Sequence, residues 1–188
     1  MQVREARLDD GQRRGDLDLR ARVLDGSREI GEDRLTVGGR RIPFHRTPDI
    51  SQIDLTGVDV LLECTGLAKT REFAERGLRA GAKAVLVSGP SAEADITVVL
   101  GANEGELGDE RIISNASCTT NALAPLVRVL DAAFGVESGQ MTTVHCYTGS
   151  QPTVDKPRSA PERSRAAALS MVPTTTSAQH QTGLVLPH

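Results

Sequence analysis

The most constraining feature of the sequence is a strand, a helix and a second strand in immediate succession between residues 58 and 90. VDVLLEC (58–64) and KAVLVSGP (83–90) are continuous apolar runs with the length of buried strands. TREFAERGLRAG (70–81) lies between them, has apolar residues in a helical setting and ends in a glycine. This order is the repeating unit of a parallel sheet, and ITVVLGAN (96–103) and RIISN (111–115) continue it. The sequence therefore predicts an α/β fold here.

The N-terminal part has a different pattern. Residues 1–18 are polar and without periodicity, which is typical of a frayed start rather than a folding element. Short extended pieces follow, separated by DGSREIGE (25–32) and by a Gly38-Gly39 turn, which together predict an antiparallel meander. The predicted pieces are LRARVL (19–24), DRLTV (33–37) and RRIPFHR (40–46).

The C-terminal part combines a helix, a strand and a long connection. Apolar residues at helical spacing predict a helix over residues 121–134 with one buried face, capped by Gly135. MTTVHCYT (141–148) alternates as a strand does, and residues 151–176 are rich in Pro, Ser, Thr and Arg, as functional loops often are. The residues on the predicted buried face are Leu123, Leu126, Val127, Leu130, Ala133 and Phe134.

The composition limits the kinds of molecule that the protein can be expected to bind. A net charge of −3 offers no basic surface for nucleic acid, and no stretch has the apolar length of a membrane span. The charged N-terminus lacks the apolar centre of a signal peptide, so a cytoplasmic protein that acts on a small molecule is expected. Cys64, Cys118 and Cys146 are odd in number and lack metal-ligand spacing, which indicates reduced thiols and no metal site.

Cys118 is the strongest candidate for chemistry. In SNASCTTNALAPL it stands where a buried strand ends and a helix begins, and the helix dipole with its unpaired N–H groups favours a thiolate there. His145 lies 27 residues further on, after the helix has returned, and an imidazole beside a thiol can act as its base. The plainer interpretation is that Cys118 is a small buried residue and His145 a structural one.

Four segments in a fixed order carry a family resemblance: SNASCTTN, TTVHCYTGSQPTVD, RAA and VPTTTSA. With VLLECTG and AVLVSGPS upstream, they resemble the phosphorylating glyceraldehyde-3-phosphate dehydrogenases from about residue 37 onward. The resemblance implies an NAD(P)-dependent aldehyde dehydrogenase of glycolysis. It also implies an incomplete Rossmann-like domain, residues 1–116, joined to the start of an α+β catalytic domain, residues 117–188, in a chain that lacks both ends of the family's fold and has little activity alone.

The resemblance also assigns roles. Cys118 would attack the aldehyde of glyceraldehyde 3-phosphate, with His145 as its base, and inorganic phosphate would release 1,3-bisphosphoglycerate from the thioester after hydride passes to NAD or NADP. The equivalent enzymes are homotetramers. Asn121 would fix the catalytic loop. Phosphate would be bound by Ser117, Thr119, Thr148 and Thr176, and the cofactor by Thr65, Gly66 and Ser88. Ordinary turn chemistry would explain the same hydroxyls and glycine without any ligand.

The sequence departs from the family pattern at several points. No glycine-rich dinucleotide loop follows an opening strand. Ser177 occupies a position where the family usually has a phosphate-contacting glycine, and the loop SAPERSRAA is shorter than the family's basic loop, with Arg165 as its best-matched arginine. The alternatives are an erythrose-4-phosphate dehydrogenase, a semialdehyde dehydrogenase, a cysteine hydrolase and a non-catalytic remnant.

Overall fold

The structure is a computed structural model that describes residues 28–30, 34–37, 39–158 and 160–187. Its central element is a parallel sheet with the strand order β4-β5-β7-β6, in which β4 to β7 follow one another along the chain. The predicted α/β unit is therefore confirmed, although the third predicted strand shortens to two residues. The strands are β4 (Val60–Glu63), β5 (Ala84–Val87), β6 (Ile96–Thr97) and β7 (Ile112–Ser114).

Helix α1 (Arg71–Arg79) connects β4 to β5 and packs on the sheet, where the sequence predicts it. Thr70 caps its N-terminus by accepting the N–H of Phe73. The contact with the sheet is close at Gly77, where an added Cβ would lie 2.3 Å from Leu61 Cδ2 and 2.9 Å from Val85 Cγ2. A larger residue at this point would have to displace Leu61 and Val85 or move the helix away from the strands.

A hydrophobic core lies between α1, the sheet and the segment before β4. Its side chains are almost entirely aliphatic, as expected from an aromatic content of 2%. Val85 and Ile112 are fully buried, and Leu55 and Leu61 are each 2% exposed. The remaining buried members of this core are Ile50, Ile53, Ala68, Ala74, Ala82 and Val87.

The antiparallel meander is confirmed for its second and third predicted pieces. The strands β1 (Arg28–Ile30), β2 (Arg34–Val37) and β3 (Arg40–Pro43) pair in sequence, and Gly39 lies in the turn between the last two. The predicted first piece, residues 19–24, lies outside the described residues. Arg28–Ile30, which the sequence pattern assigned to a connection, forms β1, so that assignment is wrong.

Two helices form the C-terminal part. Helix α2 (Cys118–Phe134) ends at Gly135, which has a φ of 73°, as its predicted capping role requires. Helix α3 (Ala178–Val185) was not predicted. It covers α2 near Thr120 and Ala124, so the buried face of α2 is not the predicted one: Leu126 is 55% and Phe134 is 84% exposed. The small apolar core here consists of Val99, Ala102, Ala116, Ala124 and Val185.

The predicted strand over residues 141–148 is wrong. The segment contains no strand, and no backbone hydrogen bond of residues 137–147 to another backbone group is present within the described part of the chain. Alternating residues can form a strand only when a second strand offers N–H and C=O partners. No described segment does so for residues 141–148.

The described residues therefore form a mixed α/β fold with one parallel and one small antiparallel sheet. None of the helices in the described ranges combines the length and the apolar character that crossing a bilayer would require.

Candidate functional site

The carboxyl ends of three parallel strands meet at one edge of the sheet. The register places Glu63 of β4 beside Val87 of β5, and Val87 beside Ser114 of β7. Backbone hydrogen bonds continue this alignment past the strands, from Ser88 N to Glu63 O (2.9 Å) and from Asn115 N to Val87 O (2.9 Å). The turns after all three strands, and the start of α2, consequently lie along the same edge.

A sharp turn brings the chain from β7 into α2. Ala116 has a φ of 56°, the left-handed conformation that costs a non-glycine residue about 1–2 kcal/mol, and it is buried. The Asn121 amide stabilises this turn by donating to Asn115 O at 2.7 Å and to Ser117 O at 3.0 Å, in agreement with its predicted role at the catalytic loop. Cys118 is consequently the first residue of α2, with Ser117 as its N-cap.

Cys118 and His145 are in direct contact. The distance from Cys118 Sγ to His145 Nε2 is 3.2 Å. The other ring nitrogen, Nδ1, is 2.6 Å from the carbonyl oxygen of Cys146. Because a carbonyl can only accept, Nδ1 carries the hydrogen in this contact, and Nε2 is left to exchange a proton with the sulfur.

The electrostatics of this pair favour the charged forms. The hydrogen bond from His145, the charge of its ring, and the backbone N–H and hydroxyl of Thr119 all lower the pKa of the Cys118 thiol, against a smaller opposing effect of burial. The pKa of His145 is raised by its bond to the Cys146 carbonyl and then by Cys118. A lowered thiol pKa and a raised imidazole pKa widen the pH range in which a thiolate and an imidazolium coexist.

The other two thiols are exposed and free, as Cys118 is. Cys146 Sγ lies 3.5 Å from His145 Nδ1, on the far side of the ring from Cys118. Among the described residues, no three His, Cys, Asp or Glu side chains converge into a cluster that could hold a metal ion.

The four candidate phosphate-binding residues fall into two groups. Ser117 and Thr119 flank the nucleophile on the first turn of α2. Thr148 and Thr176 lie on exposed loops, and the hydroxyl of Thr176 accepts the N–H of Ala178 at 3.1 Å, which is a local turn bond. The structure does not show these two hydroxyls in contact with Cys118 or His145.

Thr148 lines a surface cavity of about 420 Å³. The same cavity is lined by Lys156 and Arg158, two cations that the sequence analysis did not select. Positive side chains beside hydroxyls can bind an anion. The spacing of Lys156 and Arg158, two residues apart, was the sequence signal that could have identified them.

The three candidate cofactor-binding residues lie at the carboxyl edge of the sheet. Thr65 and Gly66 follow β4, and Ser88 follows β5, so all three are exposed on the edge from which α2 begins. Gly66 has a φ of 74° and open space where a Cβ would stand. Thr65 Oγ1 accepts the N–H of Leu67 at 3.2 Å, so part of its hydrogen-bonding capacity serves the local turn.

Comparisons with known proteins agree on one family. The family model described as "Glyceraldehyde 3-phosphate dehydrogenase, C-terminal domain" matches residues 117–188. The chain is 55% identical over 132 residues to a glyceraldehyde-3-phosphate dehydrogenase of Xanthobacter flavus, an alignment that covers 70% of this chain and 39% of that protein. It is 48% identical over 164 residues to one of Thermotoga maritima, covering 85% of this chain and 49% of the relative.

A third relative, glyceraldehyde-3-phosphate dehydrogenase 2 of Bacillus subtilis, is 45% identical over 162 residues, covering 84% of this chain and 48% of that protein. The chain thus spans about half the length of the relatives that it matches or less. Because the family model matches residues 117–188, which contain the dyad, and these relatives are 45–55% identical over 70–85% of the chain, the chain belongs to the glyceraldehyde-3-phosphate dehydrogenase family.

Proposed function

We propose that this chain carries the nucleophile and the base of a phosphorylating glyceraldehyde-3-phosphate dehydrogenase, an oxidoreductase. The observation that supports the proposal best is the 3.2 Å contact between Cys118 Sγ and His145 Nε2. Its position at the carboxyl edge of a parallel sheet adds to this, because open α/β sheets bind dinucleotides there. Family membership supplies the substrate class, a phosphorylated aldehyde, and a nicotinamide dinucleotide, either NAD or NADP.

The dyad would act first as base and nucleophile. His145 Nε2 takes the thiol proton, Cys118 Sγ forms a bond to the aldehyde carbon, and the carbonyl oxygen receives a proton as the hemithioacetal forms. The backbone N–H of Cys118, at the start of α2, can stabilise the developing oxyanion. His145 then removes the hydroxyl proton during oxidation, and the product of this half-reaction is a thioester on Cys118.

The residues at the sheet edge fit a dinucleotide in outline. Gly66 leaves open space for a close approach to the backbone, and Thr65 and Ser88 present exposed polar groups beside it. When bound, the nicotinamide would accept a hydride from the hemithioacetal. We expect low dehydrogenase turnover from residues 1–188. The candidate cofactor contacts among the described residues are limited to the turn with Thr65 and Gly66 and the turn with Ser88.

Inorganic phosphate would complete the reaction. A phosphate oxygen attacks the thioester carbon, and the C–S bond breaks. Cys118 leaves as a thiolate beside the imidazolium of His145, and 1,3-bisphosphoglycerate is released. Thr119 is the proposed hydroxyl donor nearest the sulfur, whereas the Ser117 hydroxyl is bonded to Thr120, so Ser117 would contribute its backbone N–H. Thr148, with Lys156 and Arg158 on the same cavity, and Thr176 are the proposed donors further away.

The remaining parts of the proposal concern organisation. We propose that residues 1–116 belong to an incomplete Rossmann-like cofactor domain and residues 117–188 to the catalytic domain, which the range of the family match supports. A homotetramer rests on family membership alone. A cytoplasmic location is supported by three exposed free thiols, which suit a reducing compartment.

Acyl transfer from 1,3-bisphosphoglycerate tests this function without requiring the cofactor. The purified chain would be mixed with the acyl phosphate, and its cysteine peptides would be analysed by mass spectrometry. We expect a 3-phosphoglyceroyl adduct on Cys118, none in a Cys118→Ser variant, and acylation slowed roughly 100-fold or more in His145→Ala, the usual scale for loss of a general base or acid. Equal labelling of Cys64, Cys118 and Cys146 would contradict the proposal.

A further inference from the structure

A buried polar residue of α3 reaches the start of the nucleophile helix. Gln181 is only 6% exposed, and its Oε1 accepts the hydroxyl of Thr120 at 3.0 Å. Thr120 is completely buried, so neither group has water as an alternative partner. The pair connects residues that are 61 positions apart in the chain.

The bond continues from Thr120 to the cap of α2. The distance from Ser117 Oγ to Thr120 Oγ1 is 2.6 Å, and Ser117 Oγ also accepts the backbone N–H of Thr120 at 3.1 Å. Because the Gln181 carbonyl oxygen only accepts, the Thr120 proton points towards it. The Ser117 proton then points to Thr120, which leaves the lone pairs of Ser117 free to cap the helix.

We propose that Gln181 is a positioning residue for Cys118: through Thr120 it orients the Ser117 cap and holds the first turn of α2. This inference rests on the proposed function, since it concerns the sulfur that acts there. The effect reaches Cys118 because this residue lies between the cap and Thr120, and the backbone N–H of Thr119 on the same turn faces the sulfur.

The need for such a device follows from the other half of the dyad. His145 lies on a segment that has no strand-type backbone hydrogen bonds among the described residues, so His145 cannot by itself fix the position of the sulfur. Ala116 of the turn packs in an apolar cluster with Ala124 and Val185, and such contacts do not fix the orientation of the first turn of α2. Thr120 and Gln181 supply the directional bond, and a directional bond is what a helix cap needs.

The experiment compares three variants by the rate of iodoacetamide alkylation at Cys118 across pH, with the melting temperature measured for each. Gln181→Met keeps the size of the side chain and removes the acceptor, Thr120→Ser keeps the hydroxyl that donates to Gln181, and Gln179→Met makes the same change as Gln181→Met at an exposed position of the same helix. We expect Gln181→Met to lower the rate at pH 7 roughly twofold to fivefold and to move the inflection to higher pH, the scale of a weakened helix-terminus effect. Thr120→Ser and Gln179→Met should retain the wild-type profile.

Two results would overturn the inference alone. The first is a Gln181→Met protein that melts earlier but titrates at Cys118 as the wild type does, since the role would then be structural. The second is a Thr120→Ser protein that behaves as Gln181→Met does, although it retains the hydroxyl. If the wild-type Cys118 reacts no faster than Cys64, the dyad of the proposed function fails as well, so the two failures are distinguishable.

Discussion

The two partners of the dyad come from regions that are built differently. Cys118 follows a parallel sheet whose core side chains are 0–8% exposed, and its turn is fixed by Asn121 and Ser117. His145 lies in a region where Val144 is 84% exposed and no strand forms. The sulfur is therefore positioned by the fold, and the imidazole mainly by the sulfur and one carbonyl oxygen.

The largest expected difference between the two regions is in the free energy of unfolding when one leucine of each region is replaced by alanine. Leu61 is 2% exposed in the sheet core, and Leu169 is 88% exposed in the C-terminal part. Leu61→Ala should lower the free energy of unfolding by about 2–5 kcal/mol because it leaves a cavity. Leu169→Ala should change it by about 0.5 kcal/mol or less.

Urea unfolding of both variants, followed by circular dichroism, provides the measurement. Equal destabilisation by the two substitutions would show that the C-terminal part is packed as tightly as the sheet, which would contradict the difference between the two regions.

A smaller effect is expected from a glycine in each region. Gly77→Ala should destabilise the protein by about 1–3 kcal/mol, because the new Cβ collides with Leu61 and Val85. Gly183 is its matched control on α3, where nothing lies within 4 Å of an added Cβ. Gly183→Ala should stabilise by up to about 1 kcal/mol through helix propensity alone. Thermal melting of both variants checks the opposite signs, and the same sign for both would contradict the packing described at Gly77.

The sequence predicted the sheet region better than the C-terminal region for a physical reason. Apolar runs such as residues 83–90 form buried strands whose partners are close in the chain, so local pattern and tertiary structure agree. Residues 141–148 alternate as a strand does, but a strand needs a partner, and alternation contains no information on whether one is present.

Helix α3 shows a similar limit at the level of one residue. Ala178, Gln181 and Val185 lie at helical spacing and are all buried, yet a glutamine in the middle of this pattern reads as polar surface. Its burial is possible because Thr120 offers a hydroxyl, a partner 61 residues away that no local pattern reveals. Cys118 and His145, by contrast, were predicted from the chemistry of their residue types, and the structure brings them within hydrogen-bond distance.

The most direct measurement is the pH dependence of alkylation at Cys118, with Cys64 and Cys146 as internal controls and His145→Ala as the variant. The contact with His145 lowers the pKa of the thiol, so the thiolate should persist as pH falls below the ~8.5 at which a free thiol titrates. We expect selective reaction of Cys118 at neutral pH, with the inflection moving upward when His145 is removed. Three cysteines that titrate alike, or a Cys118 profile unchanged by His145→Ala, would contradict it.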